Sequence, residues 1–357
     1  MKTFFTAITF SIAMFILSST YAGDVTGLTN FSAGTPARAA DVNANFTATK
    51  TAVDDNNARI TALQSENSTL ITRLAALEAK LASVSVVSVN DQPTVRFEGV
   101  NVQIVNGLNA TYSENGTGNM IIGYDEPYNG NFQFCSLGSD ASGNPITDAT
   151  ACATAGGIFA PSHKSGSHNL VVGPQNNYSR SGSVVFGEQN TVNGRGASVT
   201  GGAANNASGG GASISGGSRN IATKFASSVS GGFINKATEQ FSSVSGGDTN
   251  TASGIAASVS GGNNNSASGS SSSVSGGGSN KASAVNSSVS GGSSNTASNN
   301  FSHVSGGVTN KASGISSSIS GGVLNTASGS VSAISGGHSR SATGADDWVA
   351  GALFQDN

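Results

Sequence analysis

The side chains capable of acid–base work in the C-terminal half of this chain are few and far apart. Between Val199 and Thr343 the only acids are Glu239 and Asp248, and the histidines His303 and His338 stand thirty-five positions apart. Polysaccharide cleavage needs paired carboxylates, and metal-assisted hydrolysis needs clustered His, Asp or Glu. Neither spacing supplies such a cluster, and all four residues read as solvated surface. A calcium-binding nonapeptide would need an Asp at a fixed place after each Gly-Gly, which is missing. Serine is abundant, but no Ser/His/Asp set stands out. The expectation is a chain that is not an enzyme, with no catalytic residue, no metal site and no cofactor.

Cys135 and Cys152 are the two cysteines. In an exported chain a pair this close is expected to form a disulfide, worth about 3 kcal/mol for a short loop. Export is expected from Met1-Lys2, an apolar stretch from Phe4 to Leu17 and small residues before Gly23, read as a signal peptide ending at Ala22. That stretch is shorter than the ~20 residues of a membrane span, so no transmembrane segment is expected in the mature chain. Charged residues are 10% of the sequence and the net charge is −3, which points to no nucleic-acid partner.

The elements around these residues are set by a period of fifteen. Val199, Ile214, Val229, Val244, Val259, Val274, Val289, Val304, Ile319 and Ile334 form one column, which extends back by the same step to Val184. Asparagine forms a second, through Asn190, Asn205, Asn220, Asn235, Asn250, Asn265, Asn280, Asn295, Asn310 and Asn325, until Arg340 breaks it. Alanine forms a third, from Ala207 to Ala342. A short fixed period means one unit stacked on copies of itself. Fifteen residues suit one coil of a parallel β-solenoid, with two short strands joined by Gly-rich corners such as Gly231-Gly232. Alternation puts Val229 with Gly231 on one face, and Asn235 with Ala237 on another. The asparagines read as a structural ladder, because one residue recurs in coil after coil. Phe225, Phe241, Ile255, Val285, Phe301, Ile315 and Val331 add an apolar side chain at a corner, read as optional core filling.

Serines flank the Val column, as Ser228/Ser230 and Ser243/Ser245, and would form two outward hydroxyl columns with ~4.8 Å between coils. Two readings of them stay open: solvated scaffold, or an ice-binding array of Ser-x-Ser ladders.

The phrase Ser228-Val229-Ser230-Gly231-Gly232-x-x-Asn235-x-Ala237 resembles the YadA-like head repeat of trimeric autotransporter adhesins. Ser183-Val184-Val185-Phe186-Gly187 and Asn169-Leu170-Val171-Val172-Gly173 match it better. The resemblance covers about half the chain, and implies a left-handed parallel β-roll with three chains packed into one head. The chain departs from the family in its fifteen-residue period, in Gly where a second large apolar residue is usual, and in lacking the C-terminal membrane barrel.

Upstream, a heptad pattern runs from Val42, with Phe46, Val53, Ile60, Asn67, Leu74 and Leu81 at a, and Thr49, Asn56, Leu63, Leu70, Leu77 and Val84 at d. This predicts a coiled-coil stalk, in which Arg73 and Glu78 stand at the spacing of an interchain salt bridge. The expected organisation is a signal peptide (1–22), an N-terminal adaptor (23–41), the stalk (42–84), the start of the β-roll (85–123), a disulfide-bearing insertion (124–166), the repeat β-roll (167–344) and a C-terminal cap (345–357). Trp348, Leu353 and Phe354 are expected to cover the last coil. The functional expectation is a secreted homotrimeric fibre acting in surface adhesion or as an extracellular matrix component, with a surface, glycan or matrix ligand. The alternative is an ice-binding solenoid.

Overall fold

A computed structural model describes residues 25–127, 134–135, 146, 148–154, 159–160 and 162–350. The expected signal peptide, and Leu353 and Phe354, lie outside these residues. The chain divides into two compact units, 1–102 and 103–357.

The first unit is built on one helix, α1 (Ala39–Leu81). The segment before it is tied to its first turns by Asn45, whose side chain accepts from the Thr29 amide (2.7 Å) and donates to the Thr29 carbonyl (2.9 Å). The apolar heptad residues are exposed, from Phe46 (72%) through Leu63 (62%) to Leu81. The helix stops short of the expected stalk boundary, because Val84 opens a strand. Strands β1 (Val84–Val89) and β2 (Gln92–Phe97) form an antiparallel hairpin. Its two-residue turn, Asn90-Asp91, has positive φ at both positions, the geometry that hairpin twist favours. The run 100–105 is not a strand.

The second unit is an all-parallel β-solenoid. One sheet has fourteen strands, from Met120–Ile122 to Trp348–Val349, and a second has twelve, from Asn177–Tyr178 to Ser341–Ala342. Single parallel bridges from Glu188↔Ala203 to Val323↔His338 make a third wall. A typical coil runs Ser228–Val229, the Gly231-Gly232 corner, the bridge at Phe233, the strand Lys236–Ala237, and the turn to Ser242. Backbone bonds stack each coil on the next, as from Ser228 to Ser242 (2.9 Å), Phe233 to Gly247 (3.0 Å) and Lys236 to Asn250 (2.8 Å).

The interior is narrow. Val229 and Ala237 fill it with Asn235, and Ser242 donates its hydroxyl to the Glu239 carbonyl of its own turn (2.6 Å). The strands are two residues long, so Gly231 does not share the inward face of Val229. A Cβ on Gly231 would stand in open space.

Three expectations need correction. The Val column does not continue to Val184, because Val199 pairs with Val185, and Val185 with Val171. The first coils therefore have fourteen residues. The switch to fifteen falls between Val199 and Gly202, where Gly201 is the extra residue. Val184 pairs with Ser198 and stands on the outer face. The corner side chains do not fill the core, being 42–59% exposed from Phe225 to Val331. Trp348 does not cover the last coil. It continues the outward column after Ala333 and is 70% exposed, while Val349 packs on the core.

Candidate functional surfaces

The asparagine ladder is assembled from backbone geometry. Asn235 Nδ2 donates to the Gly231 carbonyl of its own coil (2.9 Å) and to the Gly247 carbonyl of the next (2.9 Å). Its Oδ1 accepts from the Asn250 amide (2.9 Å). Each amide thus ties a corner to the coil above it, and the same three bonds recur from Asn205 to Asn325. The side chains are fully buried with both donors and the acceptor used, so they offer nothing to a ligand. At the end of the ladder the Arg340 amide takes the bond from Asn325 Oδ1 (2.8 Å).

The acids and histidines of the repeat are not brought together. Glu239 lies in the turn after the second strand, and Asp248 and His338 lie on the bridge wall, six coils apart. His303 stands in the serine column of the first sheet, with Nδ1 2.6 Å from Ser288 Oγ and Nε2 3.0 Å from Ser305 Oγ. Among the described residues there is no group of three or more His, Cys, Asp or Glu placed to hold a metal ion. Nor is there a helix long and apolar enough to cross a membrane.

The outer face of the first sheet changes character along the solenoid. In its first coils it carries Met120, Ile122, Leu170, Val172, Val184 and Phe186. From Ser198 onward these places are mostly serine, with Thr200, His303, Ala333 and Trp348 as exceptions; Ser228 is half-buried and Ser230 exposed. The change coincides with the extra Gly201.

The insertion has its own small core. Cys135 and Cys152 form a disulfide with Cα atoms 5.5 Å apart, packed with Ile146 and Phe159. At its root the Lys164 ammonium lies 2.8 Å from the buried Asp125 carboxylate, and Asp125 Oδ1 accepts from the Asn176 amide (3.1 Å). The Tyr178 phenol nearby is pushed up to about 12, by burial first and by the Asp125 charge second.

Sequence reasoning missed the outward apolar corner and the apolar start of the first sheet's outer face. Position-dependent glycine was the available signal for the first, and the single glycine of Phe186-Gly187 for the second.

These surfaces define a generic parallel β-solenoid repeat protein preceded by one helix. Comparison with protein-family models gives no match, and no curated protein matches the sequence.

Proposed function

We propose that the mature chain is exported, assembles as a homotrimer through α1, and serves as a non-enzymatic adhesin-like fibre in surface adhesion or extracellular matrix. The observation that carries this reading is the exposed heptad face of α1. Phe46, Ile60, Leu63, Leu70, Leu74 and Leu77 are each more than half exposed. A long helix with such a face gains its stability from packing against another helix. The apolar run Val100, Val102, Ile104 and Val105 is likewise exposed, as is the outer face at Met120 and Ile122. Three linked copies would raise weak contacts to useful avidity. The scatter of Glu239, Asp248, His303 and His338, which lie on different walls or, for Asp248 and His338, six coils apart on one wall, supports a non-catalytic role.

Sedimentation equilibrium of the mature protein should give three times the chain mass, and binding should be found to cells, glycans or matrix proteins. A monomer over a wide concentration range overturns the assembly. The ice-binding alternative draws on the paired serine columns from Ser213/Ser215 to Ser288/Ser290, and thermal hysteresis in the wild type would establish it.

A further inference from the structure

The apolar corner side chains contribute little to the coils that carry them. Phe225, Ile255, Val285 and Ile315 occupy one corner position in alternate coils. Phe241, Phe301 and Val331 occupy the next position in coils between them, and Ser270-Ser271 is the one coil with neither. All seven side chains point to solvent. The second position is left-handed, with φ of 59°, 60° and 59° at Phe241, Phe301 and Val331. Bulky and β-branched residues are uncommon in that region. Earlier coils fill the same position with Gly182, Gly196 and Gly211. Ala226, Ala256, Ser271, Asn286 and Ser316 hold the same left-handed backbone in the other coils.

The row is rigid. The Phe241 amide donates to the Phe225 carbonyl (3.1 Å), Phe301 to Val285 (3.0 Å) and Val331 to Ile315 (2.8 Å). The Phe225 and Phe241 rings meet edge to face, with centroids 5.7 Å apart. Side chains of this size and exposure leave on the order of 600 Å² of apolar surface. That is at the top of what monomers ordinarily expose, and close to the ~800 Å² per partner of a stable interface.

We propose that this ridge is a self-docking edge, against which a second copy of this chain lies parallel and in coil register. The ridge advances one coil, ~4.8 Å, at a time and alternates between two positions. A partner able to meet it along its length must carry the same spacing, which another copy does about an axis parallel to the solenoid. The two offset positions let the apolar knobs of one copy fall between those of the other. The proposal deepens the assembly reading above, but uses a surface that α1 does not supply.

The test is Ser270→Cys in the full mature chain, with Ser290→Cys on the outer serine column as control. The native cysteines are paired, so the new thiol is the only free one. Mild oxidation should link Ser270→Cys copies roughly tenfold or more faster than the control, because docking raises the local thiol concentration. Adding Phe225→Ser, Phe241→Ser and Phe301→Ser, which copy the natural Ser270-Ser271 coil, should remove that advantage. Equal rates in the two single variants, or fast linking that survives the serine substitutions, overturns the proposal. A trimer by sedimentation without the Ser270→Cys link overturns the ridge and leaves the assembly standing, whereas a monomer without the link overturns both. Binding of the wild type to neutral phosphatidylcholine vesicles, lost in the serine variants and without any thiol link, would make an apolar surface the occupant instead.

Discussion

Asp125 and Lys164, thirty-nine positions apart, meet at 2.8 Å and clamp the root of the disulfide-bearing insertion to the first coils. The aspartate is buried and the lysine is partly exposed, so the pair is worth more than a surface contact and less than a fully buried one. This clamp separates the insertion from the stack. Cys135→Ala with Cys152→Ala should keep the β-type circular dichroism and lose protease resistance only near residues 134–160. Loss of the whole β signal would place the insertion in the folding core.

Asn250 tests the ladder. Asn250→Asp keeps the shape but replaces Nδ2, which donates both bonds, with one oxygen facing the Gly246 and Gly262 carbonyls (3.0 and 2.8 Å). Unsatisfied buried groups cost about 1–3 kcal/mol each, so the melting temperature should fall more than for Thr249→Asp on the surface. Equal melting temperatures would contradict the buried geometry.

The two glycines of each corner should respond in opposite ways. A Cβ on Gly247, at φ +87°, would lie 2.2 Å from the Gly262 carbonyl oxygen, whereas one on Gly246 meets nothing. Gly247→Ala should disrupt the local stack. Gly246→Ala should leave thermal stability within about 1 kcal/mol or raise it, by restricting the unfolded chain. Denaturant melts of the two variants decide this.

Tyr178 gives a pH signature. Its folded pKa of about 12 stands above the ordinary 10, so the folded state holds the phenolic proton longer than the unfolded state. The associated stability is fully present below pH 10 and is lost as pH rises from about 10 to 12. Tyr178→Phe should flatten that part of the stability profile. An unchanged slope in the variant would assign the alkaline loss to other groups.

The serine columns separate adhesion from ice binding. Lys at positions 243, 245, 258, 260, 273 and 275 adds bulk and charge outside the inward Val244, Val259 and Val274. The variant should fold and still attach to whatever the wild type attaches to, and neither should show thermal hysteresis. Hysteresis in the wild type that vanishes in the variant would replace the adhesin reading.

Much of the solenoid was legible because each inward place tolerates so little. A cross-section filled by Val229, Asn235 and Ala237 leaves no room for drift, so these positions repeat strictly. Val184 was misplaced because the count of fifteen holds only where a corner has two glycines. Phe186-Gly187 has one, and the column steps to Val185. The corner residues were misread because apolar character suggests burial, whereas the turn leaves all seven exposed, with a left-handed backbone at Phe241, Phe301 and Val331. Gly182, Gly196 and Gly211 at that place were the clue. The same bias assigned Trp348 to a cap, although its column neighbour Ala333 already faced out. The Asn90-Asp91 hairpin was missed because residues 85–123 were assigned to the start of the β-roll, whereas strands Val84–Val89 and Gln92–Phe97 pair with each other.

The extra glycine at position 201 has a consequence for how the chain can change length. Beyond it, every coil has the same residue count, and each ladder bond up to Asn325 runs to an identical partner one coil away. Deleting residues 262–276 would bring Gly261 to Gly277, Val259 to Val289 and Asn250 to Asn280, so each column would close over the gap without changing face. A loss or gain of fifteen codons therefore moves the two ends of the solenoid by one coil height, about 4.8 Å. Other changes shift later residues out of their columns, except at a corner, where the fourteen-residue coils keep Val171, Val185 and Val199 in one column with a single glycine. The repeat can therefore lengthen or shorten by whole coils while every wall keeps its face.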